Sequence, residues 1–143
     1  MTARPNLSAI DHEALARRID RQWDAEIVPQ LIDYVRLPAK SPHFDPDWVK
    51  NGHIEAAIQQ ARRWVEAQGV NGLALDIVRI EGRTPVLFFD IPATGGASDE
   101  RTVLFYGHLD KQPEMTGWRE GLGPWTPVYE DGKLYGRGGA DDG

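Results

Sequence analysis

Apolar residues at Leu15, Ile19, Trp23, Ile27 and Leu31 return every four positions. That spacing drifts slowly around a helix and keeps one broad apolar face. It predicts a single long helix from roughly Asp11 to Arg36. Ser8 and Asp11 both suit its N-cap. Pro29 has no backbone donor, so it should kink this helix or restart it. The next segment, LPAKSPHFDPDW, carries Pro38, Pro42 and Pro46 and predicts an extended surface loop. Ile54, Ile58, Ala61 and Val65 then form a second helical stripe, from about Gly52 to Gln68. Gly69 is a natural stop, because glycine accepts the left-handed conformation at low cost.

Beyond Gly69 the pattern loses its helical period. Leu73 to Ile80 is rich in aliphatic residues and predicts a strand. Val86 to Ile91 predicts a second strand and Thr102 to Tyr106 a third. The last two are almost continuously apolar, as strands covered on both faces are. PATGGASDE between them is a turn or short loop, and Asp131-Gly132 in VYEDGKLY is a strong hairpin signal. Helices followed by apolar strands give an α/β fold, with helices packed on a mixed, largely buried sheet.

Composition narrows the function. The 143 residues suit one domain, and 41% hydrophobic content allows a core. A net charge of -6, with no basic stripe, argues against a nucleic-acid partner. The absence of cysteine excludes disulfides and thiolate metal sites. The N-terminus has no signal-peptide core, and no window approaches a membrane span. Together these predict a soluble, cytoplasmic protein with no membrane association.

The chemistry gathers in two places. In TVLFYGHLD, the apolar run stops at Gly107 and is followed by His108 and Asp110. Ligands in open α/β sheets collect at the carboxyl ends of strands. In extended chain, residues two apart point the same way. Asp110 could therefore accept a hydrogen bond from one ring nitrogen of His108, leaving the other to ligate a metal with its tautomer fixed. Taken alone, a His-x-Asp is more often a strand-end turn with a local hydrogen bond. The second place is DGKLYGRGGADD, which brings Asp141 and Asp142. Its Arg137 among glycines could suggest a phosphate loop, but the two aspartates would repel phosphate. The spacing also lacks the alternate aspartates and distal glutamate of a calcium loop.

The two motifs together resemble those of the dinuclear-zinc metallopeptidases of clan MH. That family includes carnosinases and cytosolic dipeptidases, glutamate carboxypeptidases, aminoacylases and succinyl-diaminopimelate desuccinylases. Gly107-His108-Leu109-Asp110 matches the family's G-H-x-D at a strand end. Asp131 to Asp142 matches its D-G-K-L-Y-G-R-G-x-x-D-D, and the intervening GPWTP is closest to the carnosinase and dipeptidase branch.

The resemblance implies that His108 binds one zinc and that Asp141 bridges two. A bridging carboxylate offsets the repulsion of dications held roughly 3.5–4 Å apart. Asp110 is assigned a catalytic role, orienting and polarising His108. The Asp141-Asp142 peptide is expected to be cis, at a cost of ~3–4 kcal/mol that the surroundings must offset. The implied reaction is hydrolysis of an amide in a small peptide or N-acyl amino acid. A water shared by two Zn2+ (or Mn2+ or Co2+) would attack the carbonyl, with a glutamate as general base. That glutamate and the remaining ligands lie further along the family's sequence, as does an inserted domain often used for homodimerisation.

Residues 1–143 are thus expected to be the N-terminal portion of a catalytic domain, inactive by themselves. Competing readings are a truncated non-catalytic interaction module and a mononuclear metal-binding domain using His108 with Asp141. His12, His43 and His53 are expected in solvent, and Glu114 and Glu120 as surface charges. Trp118 and Trp125 are expected to pack under a long loop, and Trp23 and Trp64 against the sheet.

Overall fold

The computed structural model describes residues 10–93 and 102–140. Helix α1 (His12–Gln22) begins at Asp11, whose Oδ1 accepts the Ala14 N–H at 2.8 Å. Ser8, the other expected cap, lies outside the described residues. A π-helical turn, Trp23–Ile27, follows and closes with the Val28 N–H on the Trp23 carbonyl. Helix α2 (Val28–Val35) then carries Pro29 in its first turn. Pro29 has no N–H for a carbonyl one turn back, and the chain widens immediately before it. The predicted single helix is therefore helical almost throughout but changes its winding at the proline.

Helix α3 (Trp48–Asn51) is a single turn, and α4 (His53–Ala67) is the second predicted helix. Ile54, Ala57 and Ile58 on α4 are buried, as are Val28, Tyr34 and Val35 on α2. Tyr34, Ala39, Ile54 and Ala57 form the core cluster, and Leu37, Trp48 and Leu109 pack against it. Burying an isoleucine of this kind stabilises by roughly 1.5–3 kcal/mol. Gln60 ties the two helices further, donating to the Gln30 carbonyl at 2.8 Å.

The proline-bearing segment lies only partly on the surface. Ala39 is fully buried, and the segment runs parallel to the chain at Lys111. The Lys111 N–H donates to the Ala39 carbonyl at 2.8 Å, and the Ser41 N–H donates back to the Lys111 carbonyl at 2.9 Å. Prolines prevent a regular ladder but leave single bridges available. Asp45, also buried, accepts two hydrogen bonds from Asn51 at 2.8 and 3.0 Å.

The expectation of a mixed, largely buried sheet needs correction. Among the described residues, β1 (Ala74–Val78) and β2 (Val86–Asp90) form a two-stranded antiparallel ribbon, in register from Ala74–Asp90 to Val78–Val86. β3 (Val128–Glu130) and β4 (Lys133–Tyr135) form a second. Asp131 and Gly132 join these strands at φ of 51° and 73°, the positive pair that a tight hairpin requires. Val86, Phe88 and Phe89 remain about half exposed, although β2 meets α4. Residues 102–106 form no strand, and Val103, Leu104, Phe105 and Tyr106 are 75% to 90% exposed. A strand exists through its ladder, and these residues pair with no strand among those described. Trp23 and Trp64 do not lie against a sheet: Trp23 is exposed, and Trp64 lines a groove between α2 and α4.

Candidate metal site

Residues 107–111 leave the exposed 102–106 segment and enter the core. Leu109 turns inward against Tyr34, Ala39, Ile54 and Ala57. The Tyr34 hydroxyl donates to the Leu109 carbonyl at 2.9 Å. With Leu109 committed to the core, His108 and Asp110 turn the other way, as alternation in extended chain requires. The His108 Nδ1 lies 3.2 Å from Asp110 Oδ1 and 3.0 Å from the Asp110 carbonyl oxygen. Both side chains are about one-third exposed. The spacing brings Asp110 to Nδ1 as expected, but the hydrogen bond is to its backbone carbonyl, with the carboxylate alongside. With Nδ1 turned to Asp110, Nε2 is the nitrogen suited to a metal.

Lys111 follows and is 1% exposed. Its Nζ donates to the carbonyls of Tyr34 at 2.7 Å, Leu37 at 2.8 Å and Val35 at 3.4 Å. These acceptors belong to the C-terminal turn of α2 and the residues after it, where carbonyls lack helical partners and attract cations. The ammonium also sits 3.9 Å from the Tyr34 ring centroid and 5.5 Å from that of Trp125. Burial lowers its pKa to about 8, although the carbonyls and rings favour the charged form. The same burial, and secondarily the negative charge of Asp110, raise the pKa of Tyr34 above its usual value.

The second motif reaches this place through two glycines. A Cβ on Gly138 would lie 2.8 Å from Lys111 Cε and 3.1 Å from its Cδ, and a Cβ on Gly136 would overlap the Val35 side chain. Both have positive φ, 85° and 148°. Backbone thus packs directly on the Lys111 stem and on α2, which only glycine permits. Arg137 adds two ties: its N–H donates to the Pro124 carbonyl at 2.8 Å and its Nε to the Pro113 carbonyl at 2.9 Å. Arg137 is a clamp on the neighbouring chain rather than a phosphate ligand.

Trp118 and Trp125 are half-buried. The Trp118 indole donates to the Met115 carbonyl at 2.8 Å, and that of Trp125 to Glu114 Oε1 at 3.3 Å. Glu114 is more than a surface charge, since it also pairs with Lys40 at 3.1 Å. Its pKa is lowered first by a hydrogen bond from its own backbone N–H, then by Lys40 and Trp125. His12 and His43 are exposed, whereas His53 is half-buried at the start of α4.

Asp141 and Asp142 lie outside the described residues, and so does the peptide expected to be cis. Among the described residues, no group of three or more His, Asp or Glu is placed to hold a metal. His108 and Asp110 carry nitrogen and carboxylate donors of the kind zinc accepts. Sequence reasoning found this pair and missed Lys111, the buried side chain beneath both motifs. A lysine directly after His-x-Asp, with glycines spaced around Arg137, was the only available signal.

Known proteins are similar to parts of this chain. The model of "Peptidase family M20/M25/M40" matches residues 104–143. A succinyl-diaminopimelate desuccinylase of Paracidovorax citrulli is 43% identical over 49 residues, 34% of this chain and 13% of that protein. A Beta-Ala-His dipeptidase of Mus musculus is 43% identical over 60 residues, 41% of this chain and 11% of that protein. A metallohydrolase of Methanocaldococcus jannaschii is 26% identical over 110 residues, 77% of this chain and 27% of that protein. The chain therefore spans only a small part of the length of the relatives it matches. The likeness to peptidase family M20/M25/M40 thus lies over residues 104–143, which hold both motifs.

Proposed function

We propose that this chain is the N-terminal portion of the catalytic domain of a metal-dependent hydrolase that cleaves amide bonds in small peptides or N-acyl amino acids. The observation that carries this reading is the His108–Asp110 contact, 3.2 Å, inside the segment that matches the peptidase family. His108 would hold one of two zinc ions through Nε2, and Asp141 would bridge the pair. When bound, the ions supply Lewis acidity and an acidified water. Asp110 holds the Nδ1 proton of His108, fixing its tautomer and ring orientation and raising its basicity as a ligand. The family's general-base glutamate and further ligands lie C-terminal to Asp142. With His108 and Asp141 alone, against the four ligands usual for zinc, the 143-residue chain is proposed to be inactive. A cytoplasmic location and a homodimeric intact protein complete the proposal, the first resting on the absence of cysteine.

The test is hydrolysis by the intact protein of dipeptides and of N-acyl amino acids, before and after chelation. Activity that vanishes with chelator and returns with zinc supports the reading. Hydrolysis that survives exhaustive chelation would refute it, as would a zinc-loaded protein that cleaves neither substrate class.

A further inference from the structure

We infer that Lys111 is a positioning residue that locks the His108–Asp110 turn and the Gly136–Gly138 loop together. This rests on the metal-site reading above but concerns a residue to which that reading gives no role.

Three observations meet at Lys111. Its ammonium is bound to the Tyr34, Val35 and Leu37 carbonyls, so its position is referenced to the end of α2. Its backbone is held on both sides by Ala39 and Ser41, while Tyr34 holds the Leu109 carbonyl. Asp110 stands between these two anchored residues, and its carboxylate reaches His108. Finally, the Lys111 stem is the surface on which Gly138 rests. Gly138 precedes Asp141 by three residues, as Lys111 follows His108 by three. One side chain therefore sets the height of the glycine loop at Gly138 and the register of the turn that carries His108.

An uncharged side chain of similar length would fill the core. It would remove the ammonium that the Tyr34, Val35 and Leu37 carbonyls share and free both segments to shift. Small displacements of metal-site supports weaken metal binding and turnover more than substrate binding.

The experiment replaces Lys111 in the intact protein by methionine, which keeps most of the stem and removes the ammonium. The probe is Co2+ alone, read by its visible absorption, alongside steady-state kinetics. Lys111→Met is expected to raise the Co2+ dissociation constant about 10-fold or more and to alter the absorption bands. It should lower kcat while KM stays within about twofold of wild type. Gly138→Ala presses on the same stem from the other side and should give the same signature. A Lys111→Met protein that melts earlier yet binds Co2+ and turns over like wild type overturns the inference, leaving an ordinary core lysine. If Lys111→Met does not fold, Gly138→Ala decides by the same criteria. If neither folds, amide exchange in the wild type decides: Co2+ should slow exchange at Lys111 and Gly139, and unchanged exchange overturns the inference. Failure of the metal-site reading has its own mark, a His108→Ala protein that binds Co2+ like wild type.

Discussion

Two apolar stretches of this chain have opposite fates. Residues 54–58 on α4 present Ile54, Ala57 and Ile58, all buried against α2 and its neighbours. Residues 103–106 are at least as apolar and stand 75% to 90% exposed. Composition does not separate them. The difference is whether a partner surface meets the stretch, because burial is a property of pairs of elements. A helix satisfies its own backbone and needs only one packed face. A strand needs neighbours for its hydrogen bonds as well as for its side chains.

The largest expected effect tests the packed side of that contrast. In the 143-residue chain, Ile54→Ala should cost about 2–5 kcal/mol in urea unfolding, since a buried side chain leaves a cavity. At the other extreme, Phe105→Ala should change stability by less than about 0.5 kcal/mol in the same chain. Equal costs would erase the distinction between the two stretches.

An intermediate effect concerns Lys111, a cation placed inside the packed region. Its pKa falls from 10.5 to about 8 on folding. Between those values the unfolded chain binds more protons than the folded one, so stability rises with pH. The penalty of burying the charge is full below pH 8 and is relieved above it. Tyr34 works the other way: its pKa is raised from 10.0, so stability falls once the unfolded-state phenol ionises. The window is therefore about pH 8 to 10, with a slope below ~1.4 kcal/mol per pH unit. Unfolding midpoints measured across that window should climb in the wild type and stay flat in Lys111→Met. A flat wild-type profile would show that the carbonyls keep the ammonium charged.

The sequence was legible where a local rule is strong. Asp11 caps α1, Gly69 follows α4, and Asp131-Gly132 turns the second hairpin, each decided by the chemistry of a few adjacent residues. Alternation alone put His108 and Asp110 on one side of the chain, with Leu109 on the other. Long-range features were not legible. Nothing around Ala39 announces that a proline-rich segment will be buried beside Lys111. A charged residue reads as solvent-facing until its acceptors are known, and those of Lys111 lie some 75 residues earlier in the chain. The glycines of GRGG signalled a tight path, but Val35 and Lys111 as the surfaces they fit emerge only from the packing.

The central claim is that the His108–Asp110 pair is one wall of a metal site. Bound zinc, counted by atomic emission in the intact protein with turnover measured on the same samples, tests it most directly. His108→Ala is expected to lose zinc and activity together. Asp110→Asn is expected to keep most of the zinc and turn over more slowly, because the imidazole loses its anionic partner. A His108→Ala protein with wild-type zinc content and wild-type rate would contradict the account.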